Sequence, residues 1–451
     1  MHINVIGAGL AGCEAAFQSA QRGLKVYLYE MKPQKKTPAH KSDMFSELVC
    51  SNSLKADRVE SAAGMLKEEM RVMNSLLMEC ADQCRVPAGG ALAVDRDKFS
   101  AMVTDRIRNH PNIQVVEKEV LNLDEFIQDK DGITVIASGP LTSESLSKSI
   151  QEKFGGALSF FDAAAPIVSA ESIDMEHAFT ASRYGKGDGD DYINCPMNKE
   201  EYENFHRELV NAERAPLHDF DVNNPKVYEG CMPIEIMAQR GEDTIRFGPM
   251  KPVGLRDPKT GHRPWAVLQL RKENALGSMY NLVGFQTNLK FPEQKRVFGL
   301  IPALKNAEYY RYGVMHRNTF LNSPKILNSD YSAREYRNLF FAGQMTGVEG
   351  YMESASSGLL AGMNAARRAL GMETLTMPET SMTGALSRYI SCPEVEKFQP
   401  MGANLGVLPP LENRPRDKKE RASAYAYRGL EDIEKFLSLS GENFKPANIQ
   451  K

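Results

Sequence analysis

The chain has 451 residues, 42% of them hydrophobic and 25% charged, with a formal net charge of −3. That length exceeds one ordinary domain and allows two or three, while the near-neutral balance excludes a wholesale polycation, so a nucleic-acid partner needs a local basic patch. No apolar run approaches the roughly 20 residues of a membrane span, and 7 scattered cysteines argue against a disulfide framework and for a reducing cytoplasm.

In chain order, the first element is a short apolar strand, Ile3-Asn4-Val5-Ile6, running straight into Gly7-Ala8-Gly9-Leu10-Ala11-Gly12. A helix-like stretch follows over 10–22. In this arrangement Gly7 makes the tight turn, Gly9 lets backbone approach a pyrophosphate, and Gly12 lets the helix lie close on the strand. The free N–H groups and positive dipole end of the helix face the phosphates. A second apolar strand over 25–29 ends at Glu30, whose carboxylate is positioned for a ribose hydroxyl about 20 residues past the glycines. Because the chain starts as a core strand, a leader peptide is not expected.

Residues 31–41 read as a Pro-punctuated basic loop, followed by Glu47-Leu48-Val49-Cys50-Ser51-Asn52-Ser53. One helix is expected over 62–84, because Leu66, Met70, Met73, Leu77 and Cys80 recur at three or four. Cys80 and Cys84 lie one turn apart without a second Cys or His pair, which reads as helix thiols and no metal site. Asp95 is a candidate N-cap for the next helix, and strands follow at 113–116 and 133–137. From about 160 to 320 the βαβ rhythm gives way to short strands, expected at 179–181, 244–248, 266–270 and 280–283. Then Asn338-Leu339-Phe340-Phe341-Ala342-Gly343-Gln344 reads as a buried strand entering a glycine turn. Gly347, Gly350 and Tyr351 lead into a small-residue helix over 354–370. That second helix start joins Gly343, Gln344, Gly347, Gly350 and Tyr351 to the first glycine loop as cofactor contacts. Two nucleotide-fold halves split by an insertion point to FAD more than to NAD. The expected fold class is α/β: a Rossmann-like FAD-binding domain with a parallel sheet (1–160 and 323–451), interrupted by an inserted α+β domain (161–322).

Four motifs carry a family resemblance: Gly7-Ala8-Gly9-Leu10-Ala11-Gly12-Cys13-Glu14, Glu47-Leu48-Val49-Cys50-Ser51-Asn52-Ser53, Gly230-Cys231-Met232-Pro233-Ile234-Glu235 and Phe340-Phe341-Ala342-Gly343-Gln344-Met345-Thr346-Gly347. Together they resemble the TrmFO family of folate- and FAD-dependent tRNA (uracil-5-)-methyltransferases, which make ribothymidine in the T-loop; the match runs from Met1 to about Arg421. The glycine and Phe-Phe-Ala-Gly-Gln motifs are shared with the related MnmG (GidA) enzymes, and the two cysteine motifs set the chain apart from them. The resemblance implies methylenetetrahydrofolate as carbon donor, NADPH or NADH as reductant, and a cysteine–uracil adduct that attacks a methylene iminium on nitrogen 5 of the flavin. The same chemistry on a 23S rRNA uridine, or an MnmG-like wobble-uridine modification, are the alternatives. The expected setting is cytoplasmic.

On this reading Cys231 is the expected nucleophile, with Glu235 a nearby proton acceptor, and Cys50 the general acid/base or adduct partner. A uracil nucleophile must be a thiolate, and Cys50 follows a loop carrying Lys32, Lys35, Lys36, His40 and Lys41. His316, Arg317 and Asn318 are the candidate folate contacts, a ring to stack the pterin and polar groups for its amide edge. Tyr351 either stacks on cofactor or folate or caps the core. Arg414, Arg416, Lys418 and Lys419 form a basic cluster suited to RNA phosphates, to which Arg367 and Arg368 add charge. The target uridine would be flipped out of its stack.

Overall fold

The computed structural model describes residues 1–451 except 38, 156–157, 164, 186–188, 216–231, 275, 396–397 and 448–451, and only the backbone of 158–163 and 316–319. A five-stranded sheet organises the nucleotide-binding part, in the order Leu339–Phe341, Gly132–Ile136, His2–Ile6, Val26–Glu30, Ile113–Glu117. Every pairing is parallel. Strands covered by helices on both faces need near-continuous apolar runs, and Gly132–Ile136 is buried along its whole length. From the central strand the chain winds first toward one edge of the sheet and then toward the other. The reversal opens a crevice at the carboxyl ends of His2–Ile6 and Gly132–Ile136.

Helix Leu10–Gln21 packs against helix Tyr351–Ala369 at very short range. A Cβ on Gly358 would lie 2.1 Å from the Ala11 carbonyl oxygen, and one on Gly362 would lie 2.5 Å from that of Ala15. The small-residue composition of the second helix is therefore a packing requirement, and it brings both helix starts to the same crevice.

The helix expected over 62–84 is two helices, Ala62–Val72 and Leu76–Gln83. Asn74 takes the left-handed conformation at φ 58°, and the Ser75 side chain caps the second helix by accepting from Met78 N–H. The buried Glu14 carboxylate also accepts from Leu76 N–H (3.2 Å) and Leu77 N–H (3.0 Å). Apolar spacing persists across the break, which is why periodicity alone runs the two together. Asp95 caps helix Arg96–Arg108 as expected, accepting from Lys98 N–H.

A second core is drawn from residues between Val168 and Ala307. It is built on a six-stranded antiparallel sheet ordered Phe179–Thr180, Tyr192–Met197, Ala266–Lys272, Met279–Leu282, Ile167–Ser169, Tyr309–Arg311. The antiparallel pair Leu158–Ala163 and Met315–Phe320 leads into and out of it. The strand expected at 244–248 is instead a helical turn, Thr244–Phe247. Only Ile245 is buried there, while Phe247 is exposed and Arg246 lies 3.9 Å from the Trp265 ring centroid. The whole is the expected α/β class, a Rossmann-like parallel sheet with an antiparallel α+β unit between its halves. No helix among the described residues is long and apolar enough to cross a membrane.

Candidate functional site

The glycine loop forms one wall of a cleft at the crevice. Gly7 sits at φ +101°, where a Cβ would meet the Ala137 carbonyl oxygen at 2.6 Å, so only glycine makes this turn. A Cβ on Gly12 would lie 1.7 Å from the Gly7 oxygen, which sets the close approach of helix to strand. Gly9 is different: a Cβ there meets nothing within 4 Å, leaving a space against uncapped backbone. Helix Leu10–Gln21 has no side-chain cap and no acid in its first turn, so its N–H groups and dipole are available to an anion. The buried Glu30 carboxylate accepts from Ala8 N–H (2.8 Å) and Lys32 N–H (2.9 Å), fixing it at the end of its strand and at the cleft wall.

Gly7, Ala8, Gly9, Leu10, Ala11, Glu30, Gly343, Gln344 and Tyr351 all line this cleft. Gly12, Gly347 and Gly350 do not line it and shape its turns instead: Gly347, at φ +87°, packs under the Phe398 ring, and Gly350, at φ +127°, lies beside Glu353 and Lys55. An open glycine cradle, an uncapped helix start and a strand-end carboxylate are the donor set of a dinucleotide, and FAD fits it.

Tyr351 joins the cleft to Cys50. Its Oη lies 3.0 Å from the Cys50 sulfur and accepts from the backbone N–H groups of Cys50 (2.8 Å) and Ser51 (3.3 Å). Burial, and then the charge on Cys50, push the phenol well above its ordinary pKa, so it stays protonated at neutral pH. The Cys50 loop is locked to the antiparallel sheet through Asn52. Its amide donates to the carbonyls of Val94 (3.0 Å) and Lys272 (2.8 Å), and its oxygen accepts from Arg271 Nε (2.9 Å). Arg271 also reaches Ser51 Oγ at 2.7 Å. Arg96 donates to the Leu48 carbonyl (2.6 Å) and pairs with Glu273 (2.8 Å).

These arginines correct the expected source of positive charge. Lys35 and Lys36 are held by Glu119 (2.7 Å) and Asp43 (2.8 Å), and Lys32 donates to the Met44 carbonyl. Arg96, Arg271 and Arg311 are cations that interact with the charge on Cys50. Sequence spacing does not reveal them, because three separate elements supply them. One signal was present: Gln269 and Arg271 alternate with Leu268 and Leu270 in Ala266–Lys272, a polar face at period two that is nevertheless buried. His40, at the cleft wall, is pushed below its ordinary pKa by burial and then by Lys32, and is neutral at pH 7.

Cys231 lies outside the described residues. Glu235, expected beside it as a proton acceptor, is buried and engaged: it accepts from Thr287 Oγ1 (2.8 Å) and Asn288 N–H (2.7 Å), and burial raises its pKa. His316, Arg317 and Asn318 lie on strand Met315–Phe320, their backbone paired with Asp162, Phe161 and Phe160; their side chains lie outside the described set. Arg414, Arg416, Lys418 and Lys419 are exposed around the start of helix Lys418–Leu439. Of Arg367 and Arg368, expected to extend that charge, the first is buried and pairs with Glu442 (2.6 Å), and the second is half-buried and pairs with Asp330 (3.0 Å). Among the described residues no three His, Cys, Asp or Glu side chains converge as metal ligands.

Residues 2–373 match the family described as "Glucose inhibited division protein A". The chain is 59% identical to "Methylenetetrahydrofolate--tRNA-(uracil-5-)-methyltransferase TrmFO" of Acetivibrio thermocellus, over 97% of this chain and 99% of that protein. It is 56% identical to the protein so named in Lactobacillus johnsonii, over 96% and 98%. Among solved structures, Aquifex aeolicus GidA in its form II crystal superposes with a TM-score of 0.70 at 18% identity, covering 98% of this chain and 73% of that one.

Proposed function

Because the chain belongs to the glucose inhibited division protein A family, and within it to the TrmFO proteins, we propose that it is a cytoplasmic transferase that methylates carbon 5 of the T-loop uridine of tRNA. The carbon comes from methylenetetrahydrofolate and the electrons from NADPH or NADH. One observation carries the reading: Tyr351 lines the dinucleotide cleft and hydrogen-bonds the Cys50 sulfur at 3.0 Å, so a reactive thiol adjoins the place where FAD fits. Bound FAD supplies one-carbon carriage and hydride transfer.

The chain's own residues do the rest. Gly9 and the N–H groups opening helix Leu10–Gln21 hold the pyrophosphate, and Glu30 takes a ribose hydroxyl. Gly343, Gln344 and Tyr351 border the ring system. The Cys231 thiolate would add to carbon 6 of the flipped uracil, which makes carbon 5 nucleophilic; once carbon 5 has bonded to the one-carbon unit, Cys50 would take the C5 proton as the sulfur leaves carbon 6. His316, Arg317 and Asn318 bind the folate. Arg414, Arg416, Lys418 and Lys419 hold RNA phosphates. Lys418 and Lys419 stand in the first turn of their helix, where the dipole disfavours cations, so their presence is a feature for an anionic partner rather than for stability.

The test incubates the flavin-loaded protein with methylenetetrahydrofolate, NADPH and either unmodified tRNA or 23S rRNA fragments, then maps 5-methyluridine. Modification confined to the tRNA T-loop is expected. Methylation only of rRNA, or only from S-adenosylmethionine, overturns the assignment.

A further inference from the structure

We propose that Arg311 is a positioning residue whose guanidinium, together with the Tyr351 hydroxyl, holds the Cys50 sulfur as a thiolate. Of the three arginines named above, two are already engaged. Arg96 pairs with Glu273 and donates to the Leu48 carbonyl, and Arg271 donates to Asn52 and Ser51. Arg311 differs: Arg96 Nη2, also buried without a well-aligned hydrogen bond, at least lies 2.8 Å from the Glu273 carboxylate, whereas the buried Arg311 Nη2 has neither a hydrogen-bond partner nor a paired carboxylate among the described residues. A buried cationic donor left unmatched is costly, and such donors are found where an anion forms. The charges that act on Arg311 are Arg96, Tyr351, Cys50 and Glu47. Glu47 is itself held by the N–H groups of Lys41 and Ser42. Among these, Cys50 is the group whose charge changes in the proposed reaction.

The hydrogen bonding of Tyr351 points the same way. With two backbone N–H groups donating to its oxygen, the phenol has its own O–H left to give, and the sulfur 3.0 Å away is the acceptor. An accepting sulfur is favoured as thiolate, its proton passing to solvent, and the positive charges of Arg96, Arg271 and Arg311 favour the same form against Glu47, Glu273 and the neutral His40. Arg311 stands on the edge strand Tyr309–Arg311, so the antiparallel sheet adds its charge to that of Arg96 from the nucleotide-binding part.

This inference rests on the proposed function only for the use made of the thiolate, and its test needs neither folate nor RNA. Flavin-loaded protein is alkylated with iodoacetamide across a pH series, and the Cys50 peptide is quantified by mass spectrometry. Labelling of the half-exposed Cys392 serves as internal reference, and protection of the buried Cys13 and Cys195 as the check on folding. In Arg311→Met and Arg311→Gln the Cys50 midpoint is expected to rise by about one pH unit, a tenfold loss of thiolate, while Arg311→Lys keeps it near wild type. A midpoint unchanged in the folded neutral variants, or raised as much in Arg311→Lys, overturns the proposal. Loss of methylation with an unshifted wild-type midpoint bears on the function alone.

Discussion

Gly9 and Gly12 belong to one motif, yet alanine is expected to leave the flavin-free protein nearly unchanged at the first and to destabilise it at the second. Gly9 has φ −76° and ψ −170°, extended backbone that alanine adopts freely, and its Cβ would meet nothing. Restricting the unfolded chain favours alanine by about 0.4–1 kcal/mol; alanine's poor performance as an N-cap opposes it by a similar amount. Gly9→Ala is therefore expected to leave the stability of the flavin-free protein within about 1 kcal/mol of wild type. The new methyl, however, occupies the space left for the pyrophosphate. Displacing one phosphate from its N–H donors removes a charged hydrogen bond of about 1.5–3 kcal/mol, a tenfold to hundredfold rise in the FAD Kd. At Gly12 the Cβ would stand 1.7 Å from Gly7 O and 2.9 Å from Gly7 C. Both are backbone atoms, so helix and loop must separate, at about 1–3 kcal/mol for overpacking, and FAD binding falls with stability. Urea unfolding of flavin-free protein and titration by flavin fluorescence measure the two quantities separately. A Gly9→Ala protein destabilised by more than about 1 kcal/mol, or one with wild-type FAD affinity, refutes the assignment of Gly9 to the phosphate cradle.

Asn52→Ala removes three hydrogen bonds and strands Arg271 Nε, so urea unfolding should report a loss of about 2–3 kcal/mol and hydrogen exchange should quicken at Cys50 to Leu54; an unaltered exchange pattern would count against the lock. Glu69, buried against the start of helix Met382–Ser391, accepts from Met382 N–H (2.7 Å), Thr383 N–H (2.8 Å) and Thr383 Oγ1 (2.8 Å), and burial lifts its pKa to about 7. Between the unfolded value near 4.5 and 7 the folded protein binds more protons than the unfolded one, so this group's contribution is complete below the unfolded pKa and is lost as pH rises through about 7. Glu69→Gln should flatten that slope in unfolding free energy, and an unchanged pH profile would show that Glu69 does not titrate there. Replacing Lys418 and Lys419 by alanine should lower the slope of log K against log salt for tRNA by about 0.9 per lost phosphate contact, with protein stability equal or slightly higher; equal slopes would remove these lysines from the interface.

What the sequence discloses about this protein depends on how far apart the cooperating residues lie. The glycine loop, its helix and Glu30 form one local βαβ unit, so each residue's job follows from its neighbours, and the cleft they line is where that unit places it. The surroundings of Cys50 are of another kind. Its sequence neighbours suggest lysines, but Lys35 and Lys36 turn to acids of their own region, while Arg271 and Arg311 arrive from strands of the antiparallel sheet. Local pattern ranks cations by proximity along the chain, whereas a thiolate responds to proximity in space, and only register in the sheet decides which arginines are near. The two misread elements share a cause: apolar spacing runs unbroken across Asn74, and a four-residue run such as Thr244–Phe247 is too short to separate strand from helical turn. Asn52 shows the coupling most directly, since a single amide ties Val94 of the nucleotide-binding part to Lys272 of the antiparallel sheet. The loop bearing Cys50 is therefore held from both parts at once, by Tyr351 and Arg96 on one side and by Arg271 and the Lys272 carbonyl on the other. A thiol exposed in a loosely held loop would be open to oxidation. One whose loop is held from both halves of the molecule gains the charges of Arg271 and Arg311 only as the two halves come together.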